Sequence, residues 1–384
     1  MTLSRTLFEE SHELVRKLAR SFAERELVPH RDRWEEAGIV DRSLFENAGR
    51  VGLLGTAAPV AFGGGGEPDF RYNAVRIEEF TRAGVLTPGQ GIDMHVDVAL
   101  PYFLKFTTDD QKRRWLPGLC SGELIAAVAM TEPGAGSDLA GLSTRAVRDG
   151  DEYVLNGAKT FISNGILSDV VVVVCRTGAS GSSGLSLIVV ERGTPGFKRG
   201  RALKKIGLHS QDTAELIFEN ARVPAANLLG EENKGFYYLM DGLAQERLSI
   251  ALAAVAQSEA ALDETLAYVK ERHAFGRPIG SFQNSRFLLA SLRTEVDIAR
   301  VYVDRQLAAH VAGELSGEDA AAAKWWTTEL SFRLIDSCLQ LHGGWGYMEE
   351  YPIAHHWRDS RLFRIAGGTT EIMKEIIGRR VLGV

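Results

Sequence analysis

Apolar positions along the chain keep helical spacing, give way to short β-branched runs, and then return to helical spacing. Residues 1 to about 125 carry several amphipathic segments, among them Ser11 to Val28 and Phe70 to Arg82, punctuated by Pro29, Pro59, Pro68, Pro88 and Pro101. From about Leu124 the period changes. EYVLNG, the Val170 to Val174 run, LSLIVVE and AELIFENARVP read as strands separated by Gly, Asn and Ser turns. From about residue 231 four helical stretches follow. The first runs from Gly235 to a stop at Gly276–Arg277–Pro278, the second from Ser281 to His310 and the third from Ala320 to Leu341; the last begins near Thr369, after the HGGWGYMEEYP turn. The pattern predicts a mostly α protein with an inserted β domain: a helical N-terminal domain over 1–125, a β-barrel or sandwich over 126–230, and a C-terminal bundle of four long helices over 231–384.

Composition changes this picture little. A chain of 384 residues can bury more than one core, and its hydrophobic and charged fractions are those of an ordinary globular protein. Net charge is −6, which argues against a nucleic-acid partner. Cys120, Cys175 and Cys338 are far apart, odd in number and set among apolar residues, as reduced core thiols are. The N-terminus carries acids on an amphipathic period, and no apolar run reaches the eighteen or so residues of a membrane span. A cytoplasmic location is therefore expected.

The Gly63–Gly66 run lacks the Lys-Ser/Thr of a phosphate loop and reads as a flexible inter-helix loop. FKRGRALKK clusters Lys198, Arg199, Arg201, Lys204 and Lys205; it reads as a solvated turn or, less often, as a surface for an anionic ligand. Trp325 and Trp326 read as core or interface residues.

Glu246 stands in the middle of the longest helical stretch. Positions three, four and seven residues away share its face: Leu239, Gly242, Leu243, Ser249, Ile250 and Ala253, none of them a cation. A carboxylate on such a stripe either snorkels to water or is desolvated with its pKa raised, the condition a general base needs near neutral pH. The helix alone leaves both readings open.

Ala129 to Asp138, AMTEPGAGSD, falls where helices give way to strands. Gly134, Ala135, Gly136 and Ser137 can offer successive backbone N–H groups to an anion, and Thr131 a hydroxyl to the polar edge of a flat ligand. About thirty residues on comes FISNG, Phe161 to Gly165. Together these resemble the acyl-CoA dehydrogenase family. The likeness continues in order through ERHAFGRPIGSFQ (271–283), QLHGGWGYMEEYPI (340–353) and GGTTEIMKEIIGRR (367–380), while GEENKGFYYLM followed by QERL is most similar to the long-chain branch.

The resemblance implies FAD as cofactor. Met130, Thr131, Phe161 and Ser163 would line the flavin ring, and Gly136 and Ser137 would lie at the cofactor and the acyl-CoA. Arg272, Phe275 and Gln283, with Gln340, Gly343 and Gly344, would reach the FAD of a neighbouring subunit, so a homotetramer is implied; Thr369 and Glu371 belong to the same cofactor set. Arg272 also reads simply as a helix C-cap. Tyr237 and Arg247 carry over as substrate contacts, and an electron-transferring flavoprotein as electron acceptor.

Many members place the catalytic Glu directly before a Gly-Thr near the C-terminus. Here that position is Gly367, within Ile365–Thr369, and glycine cannot take a proton. Isovaleryl-CoA and long-chain dehydrogenases instead carry the base in a Glu-Arg-Leu on the long helix, which Glu246–Leu248 matches. Glu246 is thus expected to take the α-proton while the β-hydrogen leaves as hydride to flavin N5, giving a trans-2-enoyl-CoA. Gly367 and Gly368, before a helix N-terminus, would hold the thioester oxygen, with a flavin ribityl hydroxyl as second donor. Two other readings stand beside this one: an oxidase or monooxygenase on the same fold, and a flavin-binding subunit without catalysis.

Overall fold

The computed structural model describes residues 5–383; the first four residues of the amphipathic N-terminus, and Val384, lie outside it. Helices α1 (Glu10–Phe22), α2 (Arg31–Ala37), α3 (Ser43–Arg50), α4 (Arg71–Arg82), α5 (Leu86–Asp93), α6 (Leu100–Lys105) and α7 (Asp109–Ser121) come first. Strands follow: β1 (Ala126–Ala129), β2 (Arg145–Asp149), β3 (Glu152–Ser163), β4 (Val170–Arg176), β5 (Leu185–Glu191), β6 (Phe197–Ala202), β7 (Thr213–Pro224) and β8 (Leu228–Leu229). The chain then forms α8 (Gly235–Glu271), α9 (Gln283–Val311), α10 (Gly317–His342), α11 (Pro352–Ser360) and α12 (Thr370–Leu382). Of the bundle helices only α8, α9 and α10 are long. The fourth, α12, has 13 residues and packs on α10.

The strands form one sheet in the order β6-β7-β3-β2-β4-β5-β8, with β1 pairing β4 in parallel. The valine run of β4 is apolar at every position because both its faces are covered. Val170, Val172 and Val174 face a core shared with Tyr102, Phe103 and Trp115 of α6 and α7, whereas Val171 and Val173 face the core inside the β domain with Tyr153, Leu216 and Phe218.

Several local features depart from the sequence pattern. Pro88 and Pro101 do not end helices. A π-helical turn over Met94–Ala99 joins α5 to α6 into one rod from Leu86 to Lys105, which contains both prolines. Pro88 falls in the first turn, where a missing N–H loses no bond. Helix α8 stops at Glu271, before the expected Gly276, because Arg272 turns extended and a small hairpin follows, β9 (His273–Ala274) with β10 (Arg277–Pro278). Its two-residue turn, Phe275–Gly276, has both residues at positive φ, the geometry that suits a tight hairpin. The Gly63–Gly66 loop is not loose: all four amides bond back to Val60, Pro59, Gly55 and Ala58 carbonyls, which leaves none for a phosphate. FKRGRALKK is not a turn but contains edge strand β6, and Lys198 and Arg201 pair with Glu219 and Glu215 while Lys205 donates to the Gln211 carbonyl. The three cysteines are buried and unbridged, and Trp326 is 43 % exposed.

Glu78 of α4 fastens the N-terminal helices to the bundle. Its fully buried carboxylate accepts from Arg5 (2.9 Å), Arg16 (2.8 Å) and Arg300 of α9 (3.0 Å), and Arg300 also holds Glu259 of α8. Burial works to raise its pKa, but the three guanidinium groups outweigh that and hold it down at about 2. A depressed carboxyl stabilises the fold above its ordinary value and loses that contribution as pH falls toward 2. Glu78→Gln is expected to cost about 3 kcal/mol in urea unfolding at pH 7, with the gap to wild type closing between about pH 4.5 and pH 2.

Candidate active site

Glu246 lies on α8 where that helix is covered on several sides, by α4, α9 and α10. Only 8 % of Glu246 is exposed, so the snorkelling alternative does not hold. Among the described residues its one hydrogen-bond donor is the phenol of Tyr102 on α6, 3.1 Å from Oε1. Burial pushes the carboxyl up to about 7, with the Tyr102 hydrogen bond and the Arg247 charge opposing. A group of that kind is a base at neutral pH and an acid slightly below it.

The tail turn crosses the same stretch of helix. Gly367 and Gly368 both have positive φ (66° and 100°), directly before Thr369, whose hydroxyl caps α12 at the Ile372 amide. Two cations hold the turn by its carbonyls. Arg247 Nε donates to Gly367 O at 3.4 Å, and Lys324 Nζ of α10 donates to Gly368 O at 2.5 Å. No described residue accepts from the Gly367 or Gly368 amides, so two N–H groups at a helix N-terminus are left for an oxygen of a ligand. A Cβ at residue 367 would stand 2.7 Å from Ile250 Cδ1, one helical turn beyond Glu246, which brings the glycine turn close to that carboxylate's stretch of helix. Burial and the Arg247 charge lower Lys324 to about 8, against Glu329 and Glu371.

In the β domain the motifs AMTEPGAGSD and FISNG meet. Thr160 N donates to Thr131 O at 2.9 Å, and Lys159 Nζ to Met130 O at 2.8 Å. The β3–β7 register slips between Lys159 and Ile162, and in that bulge Phe161 takes φ 59° and turns its ring outward, 68 % exposed. Ser163 follows on the same strand, paired with Thr213. Glu132 fixes this junction: it accepts from Ser143, Thr144 and the buried Lys159 (2.9 Å). Burial works to raise it, but these donors hold it at about 2. The expected row of amides is one short. Ala135 N bonds back to Glu132 O at 3.2 Å, closing a tight turn over Pro133 and Gly134, and Gly136 and Ser137 stay exposed beyond it.

Most of the other residues expected at the cofactor lie near the far end of α8. Arg272, Gln340, Gly343 and Gly344 line one open cavity of about 470 Å³. No described carboxylate or carbonyl holds the Arg272 guanidinium, and nothing of the chain stands within 4 Å of a Cβ built at Gly343 or Gly344. Phe275 projects from the hairpin tip, 95 % exposed, and Gln283 is exposed at the start of α9. An unpaired guanidinium over bare glycine backbone suits a pyrophosphate, and an outward aromatic beside two strand ends suits a flavin ring, so these residues fit FAD. Thr369 is occupied as a cap, and Glu371 is exposed in the first turn of α12. Tyr237 is 61 % exposed and nine residues before Glu246, on the opposite side of the helix, so the two do not meet. Arg247 is buried against the tail turn.

Sequence reasoning missed Tyr102, Lys324 and the Glu132–Lys159 pair. The pair alone left a signal, an acid and a base inside or next to the two motifs.

Models of the N-terminal, middle and C-terminal domains of acyl-CoA dehydrogenases match residues 9–123, 127–221 and 233–382. The mitochondrial long-chain specific acyl-CoA dehydrogenase of Sus scrofa is 47% identical over 98% of this chain and 88% of its own length. The crystal structure of an acyl-CoA dehydrogenase from Geobacillus kaustophilus aligns with a TM-score of 0.96 at 48% identity, over 98% of this chain and 100% of that one. A chain from a structure described as the electron transferring flavoprotein of Acidaminococcus fermentans aligns over 100% of both chains, with a TM-score of 0.93 and 34% identity. The chain belongs to the acyl-CoA dehydrogenase family. It is an FAD-dependent oxidoreductase that dehydrogenates an acyl-CoA.

Lys324→Met removes the clamp on the Gly368 carbonyl. The variant is expected to keep its FAD, read as flavin absorbance per chain, and to lose about tenfold in kcat/KM, about 1.4 kcal/mol of the turn's preorganisation.

Proposed function

We propose that Glu246 is the base of the dehydrogenation and that the Gly367–Gly368 turn holds the thioester oxygen. The observation that carries this reading is the burial of Glu246 without an ion-pair partner, beside a turn with two unused amides. A C–H next to a thioester is a weak acid, so negative charge developing on the carbonyl oxygen must be met by donors. The two glycine amides and the positive end of α12 supply them, held in place by Arg247 and Lys324. Glu246 then takes the α-proton on a carboxylate oxygen, and the electron pair of that C–H bond forms the α,β double bond. Bound FAD supplies the acceptor for the β-hydrogen, which leaves with its electron pair. Residues Met130, Thr131, Phe161 and Ser163 would hold its ring, while Arg272, Gln340, Gly343 and Gly344 would hold the pyrophosphate side. The desolvated carboxyl counts against a non-catalytic flavin-binding subunit, since nothing in the fold requires an acid there.

The acyl group is a long or branched one in this reading, supported by the small Ala366 and Gly367 beside the base and by the likeness to the Sus scrofa long-chain enzyme. An electron-transferring flavoprotein is the acceptor, by resemblance to the family. The outward Phe275 and the Arg272 cavity support a homotetramer in which each FAD is shared between subunits. The buried, unbridged thiols support a cytoplasmic site; no described helix is long and apolar enough to cross a membrane.

Glu246→Gln is expected to retain FAD and bind acyl-CoA while anaerobic flavin bleaching slows by about 10³-fold or more. Full bleaching at the wild-type rate refutes the assignment. A raised carboxyl lowers stability as pH climbs from its ordinary 4.5 to about 7. The Gln variant should therefore unfold at higher urea than wild type at pH 8, by up to about 3 kcal/mol, with the difference vanishing toward pH 4.5.

A further inference from the structure

Three features of the rod and α8 converge on the base. Tyr102 is 1 % exposed, and its phenol donates to Glu246 Oε1 at 3.1 Å. Its neighbour Pro101 has no backbone N–H, and the carbonyl of Asp97, four residues earlier, accepts the side-chain amide of Gln245 at 2.8 Å. Rod and helix are thus joined at two successive residues, Gln245 and Glu246. Gly242, one turn before Glu246, provides the room: a Cβ there would stand 2.8 Å from Tyr102 Oη and 3.2 Å from its Cζ. No described residue donates to Glu246 Oε2.

We propose that Tyr102 is a positioning residue for the reaction, holding Oε1 of Glu246 so that Oε2 faces the substrate α-carbon, and that Gly242 exists to admit its phenol. This rests on Glu246 being the base. A donor to the carboxylate favours its charged form, so Tyr102 also holds the base's midpoint below where burial alone would put it. The other groups around Glu246 are accounted for. Arg247 on α8 opposes protonation, and Lys324 of α10 stands next to Arg247. Asp97 of the π turn is bonded to Arg76 and Asn73, and Asp241 near Tyr102 is paired with Lys105. His310 of α9 contacts Gln245 and is held neutral, lowered by burial to about 4. The tail turn contributes only backbone.

The test is the pH profile of kcat/KM for the holoenzyme with an acyl-CoA and an artificial electron acceptor, which reports the free enzyme's base. In Tyr102→Phe the acidic limb should move up by about one pH unit and the rate at pH 9 should also fall, so that the loss at pH 6 exceeds the loss at pH 9 by about tenfold. Gly242→Ala, which displaces the phenol without removing it, should shift the limb the same way. A uniform loss with an unmoved limb in the variant that folds, or a shift to lower pH, overturns the proposal. Glu246→Gln is run alongside. If it still bleaches its flavin at the wild-type rate, the base assignment itself has failed; if it is inert while Tyr102→Phe keeps the wild-type limb, only the role of Tyr102 has.

Discussion

The structure depends on keeping one carboxylate dry. Helix α8 is apolar over most of its middle because the N-terminal helices cover one side and the bundle the others, so a Glu there is largely shielded from water. Desolvation disfavours the charged form, and a neighbouring cation in direct contact would undo that by stabilising the carboxylate and drawing its pKa back down. The fold uses a phenol instead, a donor without charge. Arg247, the nearest cation, reaches away toward the tail turn. Charge thus lies at the tail turn and away from the Glu246 carboxylate, the division that the proposed chemistry requires.

The β domain obeys a similar division. Its two motifs are separated in sequence and are brought side by side by a buried ion pair, Glu132 with Lys159, that is itself hydrogen-bonded to Met130, Ser143 and Thr144. Breaking such a pair is costly, because the survivor is left charged and alone. Rigidity here allows Phe161 to occupy a left-handed conformation that an aromatic residue rarely adopts, which points to the ring being held for contact with something outside the chain.

Much of this was legible in the chain. The change of period at Leu124, the length of the middle helix and the valine run all follow from burial patterns that repeat along a single element. The replacement of the tail carboxylate by Gly367 was legible by resemblance, and it directed attention to Glu246. What the sequence could not show are contacts between elements. Tyr102 and Glu246 are 144 positions apart, and Lys324 and Gly368 are 44 apart, with no periodicity linking either pair. Pro101 looked like a helix end because the sequence does not reveal that a π turn precedes it in a continuous rod. Ala135 looked like an anion donor because a tight turn consumes its amide only once Glu132 and Ala135 pair.

Gly367 and Ile250 leave a mark on how this branch can change. A side chain placed at residue 367 would need a left-handed backbone, and its first carbon would press on the terminal methyl of Ile250, one turn beyond Glu246. Exchange of the two arrangements is therefore coupled: residue 367 accepts a side chain only if the isoleucine turns its terminal methyl aside.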